Sequence, residues 1–260
     1  MSVTGIIVII TAGILVGFIN TLSGGGSVIS LSLLIILGLP APIANGTNRI
    51  SIFFQTLSSV GSFTKQKMFT NLRPVWLGIP ATIGSVLGAY LAIDVHEKVI
   101  EVAMILAMIL MAFFLFYKPD RWLRENPALM QKKLQWWQFA IFFCVGFYGG
   151  FIQVGVGYFM LMALVLGTGY DLVKANAVKN LIVFFYAIFA LAVFVINGQV
   201  HLVYGLLLSA GSVIGALIAS YFAVKKGAGF IRAVIIFSII LTVLQISGLI
   251  NFTHLLKSIL

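Results

Sequence analysis

The sequence predicts an all-α polytopic membrane protein. It reads as two inverted repeats, each with a glycine-tipped re-entrant or broken-helix hairpin plus three spanning helices. Three observations predict this. Hydrophobic residues make up 61% of the 260 residues and charged residues 8%, whereas a soluble domain carries about 25% charged residues. Long apolar runs follow one another with short polar breaks, and mean hydropathy is +1.14. The same motifs also occur twice, once in each half.

The apolar runs are 5–22, 27–38, 43–63, 74–93, 99–117, 139–152, 156–167, 172–196, 202–224 and 230–250. A helix needs about 20 residues to cross a bilayer. Runs 27–38 and 156–167 are too short. Each follows another run across a glycine cluster, Gly24-Gly25-Gly26 or Gly155-Val156-Gly157. Paired short, glycine-interrupted segments in two halves point to a transporter binding site. Irregular backbone survives at membrane depth only where protein or water covers it. Residues 118–136 are a linker, an interfacial helix or ordered loop punctuated by Pro119 and Pro127. The expected units are therefore 1–117, 118–136 and 137–260.

Gly84-Ser85-Val86-Leu87-Gly88-Ala89 returns as Gly211-Ser212-Val213-Ile214-Gly215-Ala216. Ala44-Asn45-Gly46 returns as Ala175-Asn176-Ala177, and Gly38 as Gly167. Gly-x-x-x-Gly lets helices approach closely, within one chain as readily as between two, so oligomeric state stays open.

Charge orients the spans. There are 16 Lys+Arg against 6 Asp+Glu, a net +10. Lys65, Lys67 and Arg73 crowd into 64–73, and Lys118, Arg121, Arg124, Lys132 and Lys133 into 118–136. The positive-inside rule places both loops in the cytoplasm and explains the basicity without nucleic acid. Residues 197–201 hold no Lys or Arg, whereas Lys225, Lys226 and Arg232 follow the next span. The second repeat is therefore inverted, with both termini outside. Trp76, Trp122, Trp136 and Trp137 fall at the inside boundary, as an aromatic belt does. Cys144, alone, forms no internal disulfide or cysteine metal cluster. Uncharged residues 1–4 suggest no cleavable signal peptide.

Two polar clusters sit inside the spans. Asn45, Asn48 and Arg49 share one helix face by their i, i+3, i+4 spacing, and so do Asn176, Lys179 and Asn180. Each cluster has one cation and two carboxamides. Entering from opposite faces, they would meet near the midplane. Two cations with amide donors suit an oxyanion. The glycine tips, Gly24, Gly25 and Gly26 with Gly155 and Gly157, add helix N-termini and bare N–H groups. Gln153 and Asn20, just before the tips, are further candidate ligands. The competing reading is polar glue between helices, worth about 1 kcal/mol per contact. No carboxylate in the same segments neutralises Arg49 or Lys179, which favours the anion site.

Asp171 reads as an N-cap that could touch Lys174, and Lys174 as an entrance charge or a snorkelling lysine. Gln55, Thr56, Ser58 and Ser59 either line a path or bond back to their own helix. His201 and His254 lack ligand spacing, so no metal site and no cofactor are expected. No paired-carboxylate constellation, His-Glu-x-x-His, Cys-x-x-Cys or Walker sequence occurs, so no catalytic residue is assigned.

The order Gly24-Gly25-Gly26, then Gly38-Leu39-Pro40, then Ala44-Asn45-Gly46-Thr47-Asn48 resembles the TauE/SafE family of sulfite exporters. The second half looks like that family's repeat through Gly155-x-Gly157, Gly167 and Ala175-Asn176-Ala177. The resemblance covers nearly the whole chain except 118–136. Val156 inside the second tip departs from the triple-glycine form. The resemblance implies a bacterial inner-membrane transporter of sulfite, organosulfonates or related sulfur anions. It places the glycine motif on Gly24, Gly25 and Gly26 and the Asn motif on Asn45 and Asn48. The expected function is export of a small sulfur oxyanion, foremost sulfite, by alternating access in the lipid bilayer. The alternatives are an importer of an organosulfonate or carboxylate, and a non-transporting membrane subunit or sensor.

Overall fold

Backbone in lipid must satisfy its own hydrogen bonds, and helices do so within one segment. The protein follows that rule in a computed structural model that describes residues 3–93 and 123–246. Among the described residues there are helices and no strands. The expected span 99–117, the loop 94–98 and Lys118, Pro119, Arg121, Trp122 and His254 lie outside them.

Helix α1 (Val3–Leu22) leads through the first glycine tip into the short α2 (Ser27–Ile36). Helix α3 (Ala41–Lys65) follows, opened by Pro40 at its N-cap. The run expected at 74–93 begins as a 3-10 turn (Arg73–Leu77) and continues as α4 (Gly78–Ala92). In the linker, Asn126 accepts from the Leu129 N–H and Pro127 opens a five-residue helix, α5 (Pro127–Gln131). Helix α6 (Trp136–Phe151) starts with a reciprocal cap between Gln135 and Gln138 and ends at the second tip. Beyond it come α7 (Val156–Thr168), α8 (Leu172–Ile196) and α9 (Leu202–Ile246). The expected spans 202–224 and 230–250 form the two arms of α9, described up to Ile246. It breaks at Gly227, whose φ of 76° and ψ of −169° suit glycine alone.

Four stretches are long and apolar enough to cross a membrane: Val3–Leu22, Arg73–Ala92, Leu172–Ile196 and Leu202–Leu241. Together with the all-helical architecture they make this a multi-pass membrane protein. Helices α2, α6 and α7 are shorter. Cys144 is exposed on the apolar face of α6.

Packing is reciprocal between the halves. Helix α1 lies on the first arm of α9, and α4 lies on α6. Small residues make both approaches possible. A Cβ on Gly211 would stand 2.8 Å from Ile14 N, and one on Gly84 2.8 Å from Phe147 N. Both doubled Gly-x-x-x-Gly faces are therefore consumed inside one chain, each against a helix of the other half. Ser51 and Ser212 hydroxyls join α3 to α9 at 2.6 Å. The apolar core gathers around α7 and α8, with Tyr158, Leu161, Leu164, Ile182 and Tyr186 among its buried members.

Candidate functional site

A helix leaves its last carbonyls without partners, and they carry the negative end of its dipole. Helices α1 and α6 both end deep in the protein, at the glycine tips. The two buried cations meet those ends. Arg49 Nη1 donates to Gly149 O (2.5 Å) and Gln153 Oε1 (2.7 Å). Its Nη2 donates to Gly150 O (2.7 Å) and, at 3.4 Å, to Asn45 Oδ1. Its guanidinium also lies 5.3 Å from the Phe194 ring centre. Lys179 Nζ donates to Asn20 O (3.0 Å) and Thr21 O (2.8 Å). Each half thus sends a cation to the broken end of a helix in the other half.

The carboxamides complete both ends. Asn45 Nδ2 donates to Phe151 O at 3.0 Å. Asn180 Nδ2 donates to Thr21 O at 3.1 Å and to Asn176 O at 2.8 Å. Asn20 accepts the Ser27 N–H (3.1 Å), and its amide reaches Ser27 Oγ (3.2 Å) and Gln55 Oε1 (3.5 Å). Asn48 Oδ1 accepts from Ser30 Oγ at 2.7 Å. Gln153 sits between Arg49 and Tyr186, whose hydroxyl accepts from Gln153 Nε2 at 2.9 Å.

The tips themselves touch. Gly24 has φ +89°, and a Cβ there would stand 2.7 Å from Gly157 N; one on Gly157 would stand 2.5 Å from Gly24 Cα. Gly155 and Gly26 are the N-caps of α7 and α2, and neither cap offers a side chain to the helix. Two positive helix ends and two negative ones therefore converge here. Their partial charges offset one another, and the formal charges of Arg49 and Lys179 remain. The described acids are Glu125 and Asp171, and Glu125 is paired with Lys174 at 2.6 Å. Helix-end carbonyls, not carboxylates, accept the hydrogen bonds of both buried cations within the described residues.

Asn20, Gly24, Gln153, Gly157, Lys179 and Asn180 line one cavity with Gln55 and Thr56. Its volume is about 20 Å³, enough for roughly one water. Arg49 adjoins it through Gln153. Asn45, Asn48, Asn176, Gly25, Gly26 and Gly155 do not line it. Three buried donors among the expected residues have no partner: Arg49 Nε, Asn48 Nδ2 and Asn176 Nδ2.

Tyr186, Tyr158 and Phe194 were not singled out in the sequence. Tyr186 lies seven residues beyond Lys179 on the same helix face, and that period is the signal that would have found it. Tyr158 Oη and Ser238 Oγ lie 2.8 Å apart, and Ser238 donates to Ser23 Oγ at 3.1 Å; no local pattern predicts this. Thr56, Ser58 and Ser59 donate to carbonyls of their own helix. Asp171 is the N-cap of α8 and accepts the Lys174 N–H at 2.9 Å. The Lys174 ammonium is held by Glu125 of the linker rather than free at an entrance.

Comparison with known proteins agrees with this architecture. The profile of the family described as "Sulfite exporter TauE/SafE" matches residues 9–246. A "Probable membrane transporter protein ORF9" from Sinorhizobium sp is 28% identical over 251 residues, covering 95% of this chain and 93% of that protein. A "Probable membrane transporter protein" from Haemophilus influenzae is 26% identical, covering 88% and 89%. "Probable membrane transporter protein YfcA" from Escherichia coli K12 is 28% identical, covering 88% and 84%. No solved structure matches the chain significantly. Glycine-broken helix pairs, reciprocal packing and a match across most of the chain lead to one assignment: this membrane transporter, not an enzyme, belongs to the TauE/SafE sulfite exporter family.

Proposed function

We propose that the chain is a secondary carrier that exports a small sulfur oxyanion, foremost sulfite, across the bacterial inner membrane. The anion binds where the two glycine tips cross. The observation that carries this reading is the set of unpartnered donors, Arg49 Nε, Asn48 Nδ2 and Asn176 Nδ2. One of them belongs to Arg49, and no described carboxylate neutralises Arg49 or Lys179. Buried donors without acceptors are rare and call for an explanation, and an oxyanion supplies both the acceptors and the charge. Arg49, Lys179, Asn45, Asn48, Asn176, Asn180, Gln153, Asn20 and the glycines of the two tips form the binding set.

Units 1–117 and 137–260 are inverted repeats joined by the linker 118–136, with 64–73 and 118–136 cytoplasmic and both termini outside. The reciprocal packing of α1 on α9 and α4 on α6 supports that reading. The cavity of about 20 Å³ has room for roughly one water, and alternating access has the repeats rock to open it on either side. Inside-negative potential favours export, by about 2.3 kcal/mol per charge per 100 mV.

The test is sulfite flux in proteoliposomes under an imposed potential, comparing wild type with Arg49→Met and Lys179→Met variants that remain monodisperse. Potential-driven flux lost in both variants is the expected result. Equal flux in all three proteins refutes the site. Wild-type silence towards sulfite, sulfate, thiosulfate and taurine refutes the substrate class. Flux of taurine or a carboxylate without sulfite would favour the importer instead.

A further inference from the structure

Another cavity lies away from the glycine crossing. It is a cleft of about 390 Å³ between the linker and the 3-10 turn before α4, lined by Arg73, Lys132, Lys133, Trp137 and Tyr170 among others. Its frame is tied together across distant segments. Tyr170 Oη donates to Asn71 O at 2.6 Å, Gln138 Nε2 to Gly167 O at 2.7 Å, and Arg73 to Gln131 O at 3.4 Å. Among the described residues three cations line it and no acid does. The nearby Glu125 is already paired with Lys174. Lys132 and Lys133 are exposed, so their charge is available to a ligand.

A second, apolar groove begins one residue along the chain from Pro74 of the cleft. Val75, Ile79, Thr82 and Ile83 line one wall and Phe185 and Phe189 the other, around about 360 Å³. Ile79 and Ile83 follow one face of α4 away from Arg73. A basic, aromatic-edged cleft thus adjoins an apolar trough on the surface of a membrane protein.

We propose that this composite site holds one anionic membrane phospholipid. Its phosphate sits among Arg73, Lys132 and Lys133, and an acyl chain lies along Ile79, Ile83, Phe185 and Phe189. Charge selects the headgroup, because basic pockets beside membrane helices attract anionic lipid. The groove separates this occupant from a free phosphate, which has nothing to place there.

The experiment uses the delipidated full chain in detergent. Native mass spectrometry and thermal unfolding are run with dioleoylphosphatidylglycerol, dioleoylphosphatidylcholine or inorganic phosphate. Phosphatidylglycerol should bind and protect, and the other two should not. Lys132→Gln with Lys133→Gln should weaken phosphatidylglycerol about thirtyfold, taking each lysine's attraction at its usual strength. Ile83→Trp, which fills the groove and keeps the charge, should also lower retention. Equal protection by phosphatidylcholine overturns the charge-selected site. Protection by inorganic phosphate that matches phosphatidylglycerol and ignores Ile83→Trp overturns the lipid in favour of a soluble anion.

Discussion

Gly24→Ala tests the crossing directly, because its cost has two separable parts. The first is conformational. Gly24 has φ +89°, and an L-residue held there costs about 1–2 kcal/mol. The second is steric. The added Cβ would overlap the opposite tip, with Gly157 N at 2.7 Å, and forcing extra volume into packed structure costs about 1–3 kcal/mol. The obstacle is backbone, so no rotamer change relieves it. Gly38→Ala isolates the first part, since Gly38 has φ +90° and nothing within 4 Å of its built Cβ. Gly157→Ala isolates the second, since Gly157 is not among the positive-φ glycines. Gly24→Ala should therefore lose roughly 2–5 kcal/mol, and Gly38→Ala only about 1–2. Reversible unfolding in mixed micelles with increasing SDS, followed by far-UV circular dichroism, measures all three. The double variant Gly24→Ala/Gly157→Ala should depart from additivity, as contacting sites do. A Gly24→Ala protein no less stable than Gly38→Ala would refute the contact between the tips and the crossing built on it.

Other predictions follow from the same structure. Gly227→Ala should destabilise by about 1–3 kcal/mol through backbone strain alone, since nothing lies within 4 Å of its built Cβ; the same denaturation measurement reads it. Asp171→Asn keeps the N-cap of α8 and removes a titrating group. Burial raises the Asp171 carboxyl above its ordinary 3.8, so ionisation is disfavoured in the fold and wild-type stability falls as pH rises through the raised value. The Asn variant should unfold at a higher temperature than wild type at neutral pH, and the gap should close below about pH 4. Lys174→Met should change stability by less than about 1 kcal/mol, because the Lys174–Glu125 pair is partly exposed and screened. A larger loss at low salt that shrinks in 0.5 M salt would show that the ion pair anchors the linker.

The sequence alone carries the environment of this protein and its local breaks. Composition and run length identify lipid as the solvent, since so few charges cannot cover a soluble fold. Gly24-Gly25-Gly26 and Gly155-Val156-Gly157 mark the broken helices because glycine punctuation is a local signal. The spacing of Asn45, Asn48 and Arg49, and of Asn176, Lys179 and Asn180, reports one face because helical period is local too. Asp171 as a cap needs only its neighbour Lys174. The partner of each group was not legible. That Arg49 serves Gly149 and Gly150, and Lys179 serves Asn20 and Thr21, joins residues a hundred or more positions apart. No periodicity reaches that far. The separation of Lys174 from its expected exposure has the same cause, for Glu125 belongs to the linker. Tertiary structure alone decided that the cations complete helices of the opposite half, that Gly24 faces Gly157, and that a basic cleft opens beside the linker. Sequence specifies what each segment must bury or cap; only the packed chain determines which distant group does it.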